Sequence, residues 1–219
     1  MELIQNNRCF EGEQRIYRFH SNALQTETQF GIFLPEQALA GQACPAVFYL
    51  AGLTCNEETF AIKAHAQHMA AQLGLILISP DTSPRGEAVA KGDHWDIGQG
   101  AGFYINATQA PWAEHYRMES YIADELYFAV LEHFPIQKGR IGIMGHSMGG
   151  HGALTLAWKY PEKFKSVSAF APICAPSQCA WGEKAFSHYL GEAREEWLAH
   201  DAVALIQSKG ALFSEVLVD

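Results

Sequence analysis

The sequence predicts an α/β fold in which helices cover both faces of a mostly parallel central sheet. Short apolar runs alternate with segments of helical periodicity along most of the chain, as in parallel sheets whose strands are joined by helices. Two earlier segments have apolar residues at two-residue spacing and predict an antiparallel lead-in. No repeat, low-complexity tract or linker divides the 219 residues, of which 48% are hydrophobic. We therefore expect a single domain over residues 1–219.

The first half of the chain supplies the lead-in and one βαβ unit. Bulky apolar residues alternate over 15–19 and 29–34, which predicts two strands. The apolar run at 46–50 predicts a buried strand, a helical pattern follows over about 57–73, and the run at 75–78 predicts another strand. Two parallel strands connected by a helix make a βαβ unit.

The second half continues the alternation after a long irregular segment. Residues 80–111 fit neither period and contain five glycines, and a loop of this length often carries function. The elements predicted after it are a helix over 120–134, a strand over 140–144, a helix over 148–160, a strand over 166–171, one or two helices between 181 and 207, and a strand over 215–219.

Composition limits the compartment and the partners. With 24 acidic and 15 basic residues the net charge is −9, which disfavours nucleic acid and anionic membrane surfaces. The chain has no basic-then-apolar leader and no apolar run near the ~20 residues of a membrane helix. Its cysteines are odd in number and lack zinc or redox spacing, so we expect a reduced, cytoplasmic setting and no metal site. They are Cys9, Cys44, Cys55, Cys174 and Cys179.

One pentapeptide points to chemistry. Gly145-His146-Ser147-Met148-Gly149 lies between a predicted strand and a predicted helix, the context of a nucleophile elbow. A tight turn there holds the serine hydroxyl clear of the sheet, and the flanking glycines let the strand and helix approach closely. A chance match is the alternative, and the position between strand and helix argues against it. We predict that Ser147 is a catalytic nucleophile.

A serine nucleophile needs donors for the oxyanion that forms in the reaction. Met148 N–H opens the helix after Ser147, and Leu53 N–H lies in the glycine-containing loop after the strand at 46–50. We predict that these two groups form the oxyanion hole. Gly52 is also consistent with an ordinary β-to-α turn. Cys55 is interpreted as adjacent to the site, because a lone cysteine is more often a small buried apolar residue than a second nucleophile.

The general base is harder to assign. Hydrolases with this elbow place the acid and the histidine after the serine. The histidines after Ser147 are His151, His188 and His200. All three fall in predicted helices, so we expect them to be packing or surface residues, and His146 to flank Ser147 without acting as its base. Asp201 and Asp219 are candidate acids, but neither completes a triad without a histidine.

Several longer strings give the chain a family resemblance. They are residues 50–55, 80–86, 100–104, 145–154, 166–174 and 181–186, within a match that runs from Phe30 to Asp219. The chain resembles the esterase D or S-formylglutathione hydrolase family, whose members have the α/β-hydrolase fold. The resemblance implies hydrolysis of S-formylglutathione to formate and glutathione, the second step of glutathione-dependent formaldehyde detoxification. It also implies that no cofactor is used and that two copies form a homodimer.

The resemblance also suggests site residues. Ser147 corresponds to the nucleophile, and Leu53 and Met148 to the backbone oxyanion donors. The segments 95–104 and 181–186, with Trp95 and Trp181, would line the acyl and glutathione pocket. The other residues expected to touch substrate are Gly52, Cys55, His146 and Lys184. Glutathione thioesters are anionic, so a local cation is needed, and Lys63, Arg85 and Lys184 are candidates that also suit a solvated surface.

The family pattern differs from this chain at one end. The resemblance places the triad aspartate and histidine after Asp219, with a further strand and a final helix. We therefore expect residues 1–219 to lack that last strand and helix and to hydrolyse thioesters weakly on their own. Two alternatives stay open: a generalist carboxylesterase or acyltransferase of the same fold, and an inactive hydrolase scaffold that binds a ligand or partner.

Overall fold

A computed structural model describes residues 1–219, and its framework is one mixed sheet of eight strands. The strands are β1 (Glu2–Cys9), β2 (Gly12–Ser21), β3 (Thr26–Leu34), β4 (Cys44–Leu50), β5 (Ile76–Pro80), β6 (Ile136–His146), β7 (Val167–Phe170) and β8 (Leu217–Val218). They lie side by side in the order β1-β2-β3-β5-β4-β6-β7-β8. The first three strands and the β3–β5 pair are antiparallel, and the remaining pairs are parallel. The predicted fold class is confirmed.

Helices pack on both faces of this sheet, as predicted. They are α1 (Glu36–Leu39), α2 (Thr59–Ala64), α3 (Gln67–Leu73), α4 (Met118–Ser120), α5 (Tyr127–His133), α6 (Met148–Lys159), α7 (Ala180–Leu190), α8 (Arg194–Trp197) and α9 (Ala202–Lys209), with a π-helical segment Tyr121–Leu126 between α4 and α5. Ile32 and Ile78 point into the larger apolar core, which includes residues of α5, α6 and α7. Their neighbours Phe33 and Leu77 point to the opposite face, where Phe60 and Ala70 pack.

The expected single helix over 57–73 is wrong. His65 adopts a left-handed conformation (φ 50°) and ends α2 before α3 begins. On one straight helix, Phe60 and Ala70 would point about 80° apart. The break lets both side chains pack in the same small cluster with Phe33 and Leu77.

Other boundaries also differ from the sequence predictions. Strand β1 was not predicted, because it pairs only with β2 and most of its residues are exposed, so it shows no apolar alternation. Three helices, not one or two, occupy 180–209. Gly191 ends α7 with φ 84°, and the Asp201 side chain caps α9 by accepting a hydrogen bond from Ala204 N–H.

The topology brings three loops together at one edge of the sheet. Strands β4, β5 and β6 are parallel neighbours, so their carboxyl ends meet there. The segment from residue 81 to residue 117 contains no helix or strand beyond isolated bridges, as the sequence predicted. No helix has the length and apolar character needed to cross a bilayer, and all five cysteines are free.

Candidate active site

Ser147 occupies the turn between β6 and α6 in a strained conformation. Its backbone angles are φ 57° and ψ −118°, in a region that non-glycine residues rarely adopt. The Ser147 N–H donates to the Phe170 carbonyl at 2.8 Å, which ties the turn to the end of β7. The residue is half-buried at the carboxyl edge of the sheet. This is the geometry of a nucleophile elbow.

The two glycines of the pentapeptide are needed because backbone approaches backbone there. A Cβ on Gly145 would lie 2.1 Å from the Gly149 carbonyl oxygen, and a Cβ on Gly149 would lie 1.9 Å from the Leu50 carbonyl oxygen. No side chain can fit at such distances. The glycines therefore allow α6 to start directly against the end of β4, where the second loop of the site begins.

Two backbone N–H groups close to Ser147 in the fold have no backbone hydrogen-bond partner. Gly52 packs against the serine, since a Cβ on Gly52 would be 3.3 Å from Ser147 Cβ and 3.4 Å from His146 Nδ1. The adjacent Leu53 N–H donates to no backbone carbonyl. Met148 is the first residue of α6, where an N–H has no partner within the helix. The structure thus brings together Gly52, Leu53, His146, Ser147 and Met148.

The loop that carries Leu53 is held from both sides. Thr54 N–H donates to the Gly100 carbonyl at 2.9 Å, and the Tyr104 hydroxyl donates to the Ala51 carbonyl at 2.8 Å. Tyr104 is fully buried, and burial raises the pKa of its hydroxyl well above the usual value, so it stays protonated as a donor. These bonds fix the backbone on both sides of the Leu53 N–H.

Cys55 closes the same loop and is anchored through its carbonyl. That oxygen accepts hydrogen bonds from Thr82 Oγ1 at 2.6 Å and from Arg85 Nη2 at 2.9 Å. Asp81 pairs with Arg85 through two hydrogen bonds of 2.6 and 2.9 Å and so orients the guanidinium. Cys55 itself is half-buried and makes no side-chain hydrogen bond.

The histidines that follow Ser147 do not contact its hydroxyl. His151 is fully buried on α6, and its Nε2 lies 3.1 Å from the Phe103 carbonyl, which makes it the donor. Burial lowers the pKa of His151 to about 3, so the ring is neutral. His188 is exposed beside the Lys184 carbonyl, and His200 lies 3.1 Å from Lys159 Nζ. These positions agree with the packing and surface roles expected from the sequence.

The two candidate acids have other partners. Asp201 is buried and accepts hydrogen bonds from Ser177 Oγ at 2.6 Å and from Ala204 N–H at 3.0 Å. Asp219 pairs through its backbone with Ala169 and Ala171 at the end of β7. Neither carboxylate is hydrogen bonded to Ser147 or to a histidine.

The remaining predicted site residues form a separate cluster. Trp95 and Trp181 meet edge to face with ring centres 5.7 Å apart, and both rings are largely exposed. Lys184 Nζ lies 2.7 and 2.9 Å from the two Asp96 carboxylate oxygens, which joins α7 to the long loop. No hydrogen bond or ring contact links this cluster to Ser147. The charge of Lys184 is already matched by Asp96.

Comparison with known proteins decides the family. A family model described as "Putative esterase" matches residues 21–216. The S-formylglutathione hydrolase of Mus musculus is 47% identical over 220 aligned residues, which cover 100% of this chain and 78% of the mouse protein. The chain belongs to the S-formylglutathione hydrolase family. The resemblance inferred from the sequence strings is therefore confirmed.

Solved structures show the same architecture. The enzyme from Agrobacterium tumefaciens superposes with a TM-score of 0.96 at 46% identity, over 100% of this chain and 79% of that one. The fluorophosphonate-binding serine hydrolase F of Staphylococcus aureus superposes with a TM-score of 0.73 at 20% identity, over 94% and 78%, which shows a shared fold. The chain is a serine hydrolase of the esterase class with an α/β-hydrolase fold.

Sequence reasoning missed the residues that hold the loop carrying Leu53, the predicted oxyanion donor. Tyr104 and Arg85 lie in strings that carried the resemblance, but the sequence offers Arg85 only as a candidate cation for the substrate and gives Tyr104 no role. Tyr104 reaches a carbonyl 53 positions away, and Arg85 one 30 positions away. Such partners follow from the tertiary fold and leave no periodic signal in the chain.

Replacing Tyr104 by phenylalanine tests this support. Tyr104→Phe removes the hydroxyl that donates to the Ala51 carbonyl and so loosens the loop that carries Leu53. We expect kcat for p-nitrophenyl acetate to fall about tenfold with little change in KM, because the Leu53 N–H acts mainly on the transition state. The unfolding free energy is expected to fall by about 1 kcal/mol. Steady-state kinetics and urea unfolding measure both. Tyr49→Phe is the matched control, since the Tyr49 ring stacks on Phe60 without a hydroxyl hydrogen bond; equal kcat losses in both variants would contradict the assignment.

Proposed function

We propose that this protein hydrolyses S-formylglutathione to formate and glutathione, with Ser147 as the nucleophile. The observation that supports this most strongly is the strained Ser147 turn between two free backbone donors, in a chain 46–47% identical to enzymes of that name. A generalist carboxylesterase would need the same elbow. The glutathione portion of the substrate is what separates the two activities.

The reaction would proceed through a formyl ester. Ser147 Oγ passes its proton to a water molecule as it attacks the formyl carbon, and the carbonyl oxygen becomes an oxyanion that accepts hydrogen bonds from Leu53 and Met148 N–H. Collapse breaks the carbon–sulfur bond and releases glutathione as the thiolate. Water then attacks the formyl ester, the same donors stabilise the second oxyanion, and formate leaves with regeneration of the serine.

The substrate contacts follow from the two clusters of residues. Gly52 packs against Ser147 and His146, and these residues would contact the formyl thioester together with Cys55. Trp95 and Trp181 would contact the peptide part of the substrate at the rim, with Lys184 holding α7 against the long loop through Asp96. A direct ion pair between Lys184 and the substrate would require Lys184 to break its ion pair with Asp96.

Three further properties are proposals of the same kind. Five free thiols suit the reduced cytoplasm, and the net charge of −9 disfavours nucleic acid as a partner. A homodimer stays a prediction of the family resemblance. A single domain over residues 1–219 also stays a prediction, supported by one sheet that joins β1 to β8.

A pair of substrates with the same acyl group tests the proposed activity. S-formylglutathione and S-formyl-N-acetylcysteamine share the formyl thioester and differ in the peptide. If the peptide supplies about 3 kcal/mol of transition-state binding, kcat/KM will be about 100-fold higher for S-formylglutathione. Release of thiol measures both rates.

The alternatives give different outcomes in the same assay. Equal kcat/KM values for the two thioesters, with p-nitrophenyl acetate turned over as efficiently, would indicate a generalist esterase. Failure of Ser147 to react with a fluorophosphonate would indicate a binding scaffold, since only an activated serine reacts quickly.

A further inference from the structure

A polar pocket of about 440 Å³ opens beside the oxyanion loop. It lies between the start of β3, the loop after β4 and the carboxyl end of β5, and all eight lining residues are polar. Thr54 is one of them, and its Cα is at most about 7.6 Å along the chain from that of Gly52, which packs on Ser147. The pocket is therefore within reach of a substrate whose reacting carbon sits at Ser147.

Glu57 lines this pocket with an unmatched carboxylate. The residue is 6% exposed, yet its carboxylate makes no hydrogen bond or ion pair with another side chain. Burial, followed by the nearby Asp81 charge, raises the pKa of Glu57. A buried carboxylate that no cation pairs with directly is unfavourable, and a cationic group in the pocket would relieve the cost.

Arg85 presents a free edge to the same pocket. Its Nε and Nη2 are used by Asp81 and the Cys55 carbonyl, but Nη1 makes no hydrogen bond. The Arg85 side chain is 39% exposed. Because the Asp81 pair fixes the plane of the guanidinium, the two Nη1 protons are positioned donors for a carboxylate.

The charged side chains that line the pocket indicate which class of ligand it binds. Glu27, Glu57 and Asp81 line the pocket with Arg85, so a simple anion is repelled and a group that carries an ammonium is favoured. No three carboxylate, histidine or cysteine side chains converge closely enough to hold a metal ion. An α-amino acid end, with an ammonium beside a carboxylate, matches both Glu57 and Arg85.

We propose that this pocket binds the γ-glutamyl end of the glutathione thioester, with the ammonium on Glu57 and the α-carboxylate on Arg85 Nη1. The assignment rests on the proposed function. The γ-glutamyl α-carbon is about 9 Å from the cysteine sulfur in an extended conformation, which exceeds the ~7.6 Å upper limit on the separation of the Gly52 and Thr54 Cα atoms. The glycyl end carries a carboxylate without an ammonium and is disfavoured by Glu27 and Glu57.

Binding of a non-reacting ligand tests the pocket independently of turnover. S-methylglutathione and its N-acetyl derivative differ in the ammonium, and Glu57→Gln removes the matching charge. We expect calorimetry to show a Kd about tenfold higher for Glu57→Gln with S-methylglutathione, and about tenfold higher for the N-acetyl ligand with the unmodified protein. Combining Glu57→Gln with the N-acetyl ligand should raise the Kd little more than either change alone, because both remove the same interaction.

The controls distinguish the pocket from the reaction itself. Glu58→Gln changes a neighbouring acid that does not line the pocket and is expected to leave the Kd unchanged. Thermal unfolding of each variant confirms folding. The pocket assignment would be overturned, and the proposed function left intact, if Glu57→Gln bound S-methylglutathione as tightly as the unmodified protein. It would also be overturned if the increases in Kd caused by Glu57→Gln and by N-acetylation of the ligand were additive. No binding of S-methylglutathione and no preference for S-formylglutathione in the unmodified protein would overturn both.

Discussion

Replacing Ser147 by alanine is expected to remove all transfer of the formyl group from S-formylglutathione to the protein. We also expect kcat to fall by about 10⁴-fold or more, because the other groups of the site give little acceleration once the nucleophile is removed. Leu53 and Met148, the proposed oxyanion donors, are unchanged in this variant and would account for the residual rate. Thiol release and intact-protein mass spectrometry measure the two effects.

A second serine provides the matched control. Ser168 lies in β7, is half-buried and makes no side-chain hydrogen bond, so Ser168→Ala is expected to retain formyl transfer and labelling by a fluorophosphonate. Retention of formyl transfer by Ser147→Ala would show that another group is the nucleophile. Cys55 is the candidate for that role, because its half-buried thiol lies in the oxyanion loop.

Adding one methyl group at Gly149 is expected to destabilise the whole site. In Gly149→Ala the new Cβ would lie 1.9 Å from the Leu50 carbonyl oxygen and 2.4 Å from the carbonyl carbon. Both are backbone atoms of a central strand, so the clash is relieved only if α6 moves away from β4. We expect the unfolding free energy to fall by about 3 kcal/mol or more. Urea unfolding monitored by tryptophan fluorescence measures it.

A Gly139→Ala variant serves as the control that distinguishes this clash from the general effect of replacing glycine. Gly139 has φ 79°, and a Cβ there would meet nothing within 4 Å. Gly139→Ala should therefore lower stability by only about 1–2 kcal/mol, the cost of a left-handed alanine. Equal losses in the two variants would contradict the packing account, and so would a fully active Gly149→Ala enzyme, since a displaced α6 also displaces Met148 N–H.

The fold was predictable where the sequence reports burial directly. Strands β4 and β5 are short apolar runs with most residues buried, and the elbow at Ser147 depends on glycines within two positions. Strand β1 was missed because an exposed edge strand has no apolar pattern. The break at His65 was missed because it arises from packing of Phe60 and Ala70 against two distant strands.

The candidate site was predictable only in part, for a related reason. Ser147, Met148 and Leu53 follow from local strand–turn–helix chemistry. Tyr104 supports the oxyanion loop across 53 positions, and Glu57 is notable only for its lack of a partner, which requires the surrounding surface to be known. Long-range hydrogen bonds and unmatched buried charges are properties of the tertiary structure.

The residue that carries the formyl group during turnover identifies the nucleophile. The protein is mixed with S-formylglutathione, quenched with acid within the first turnover and digested, and the peptides are analysed by mass spectrometry. We expect one formyl group on the peptide that contains Ser147, formed together with one equivalent of glutathione and absent from Ser147→Ala. A formyl group on Cys55, or release of glutathione by Ser147→Ala at the unmodified rate, would contradict it.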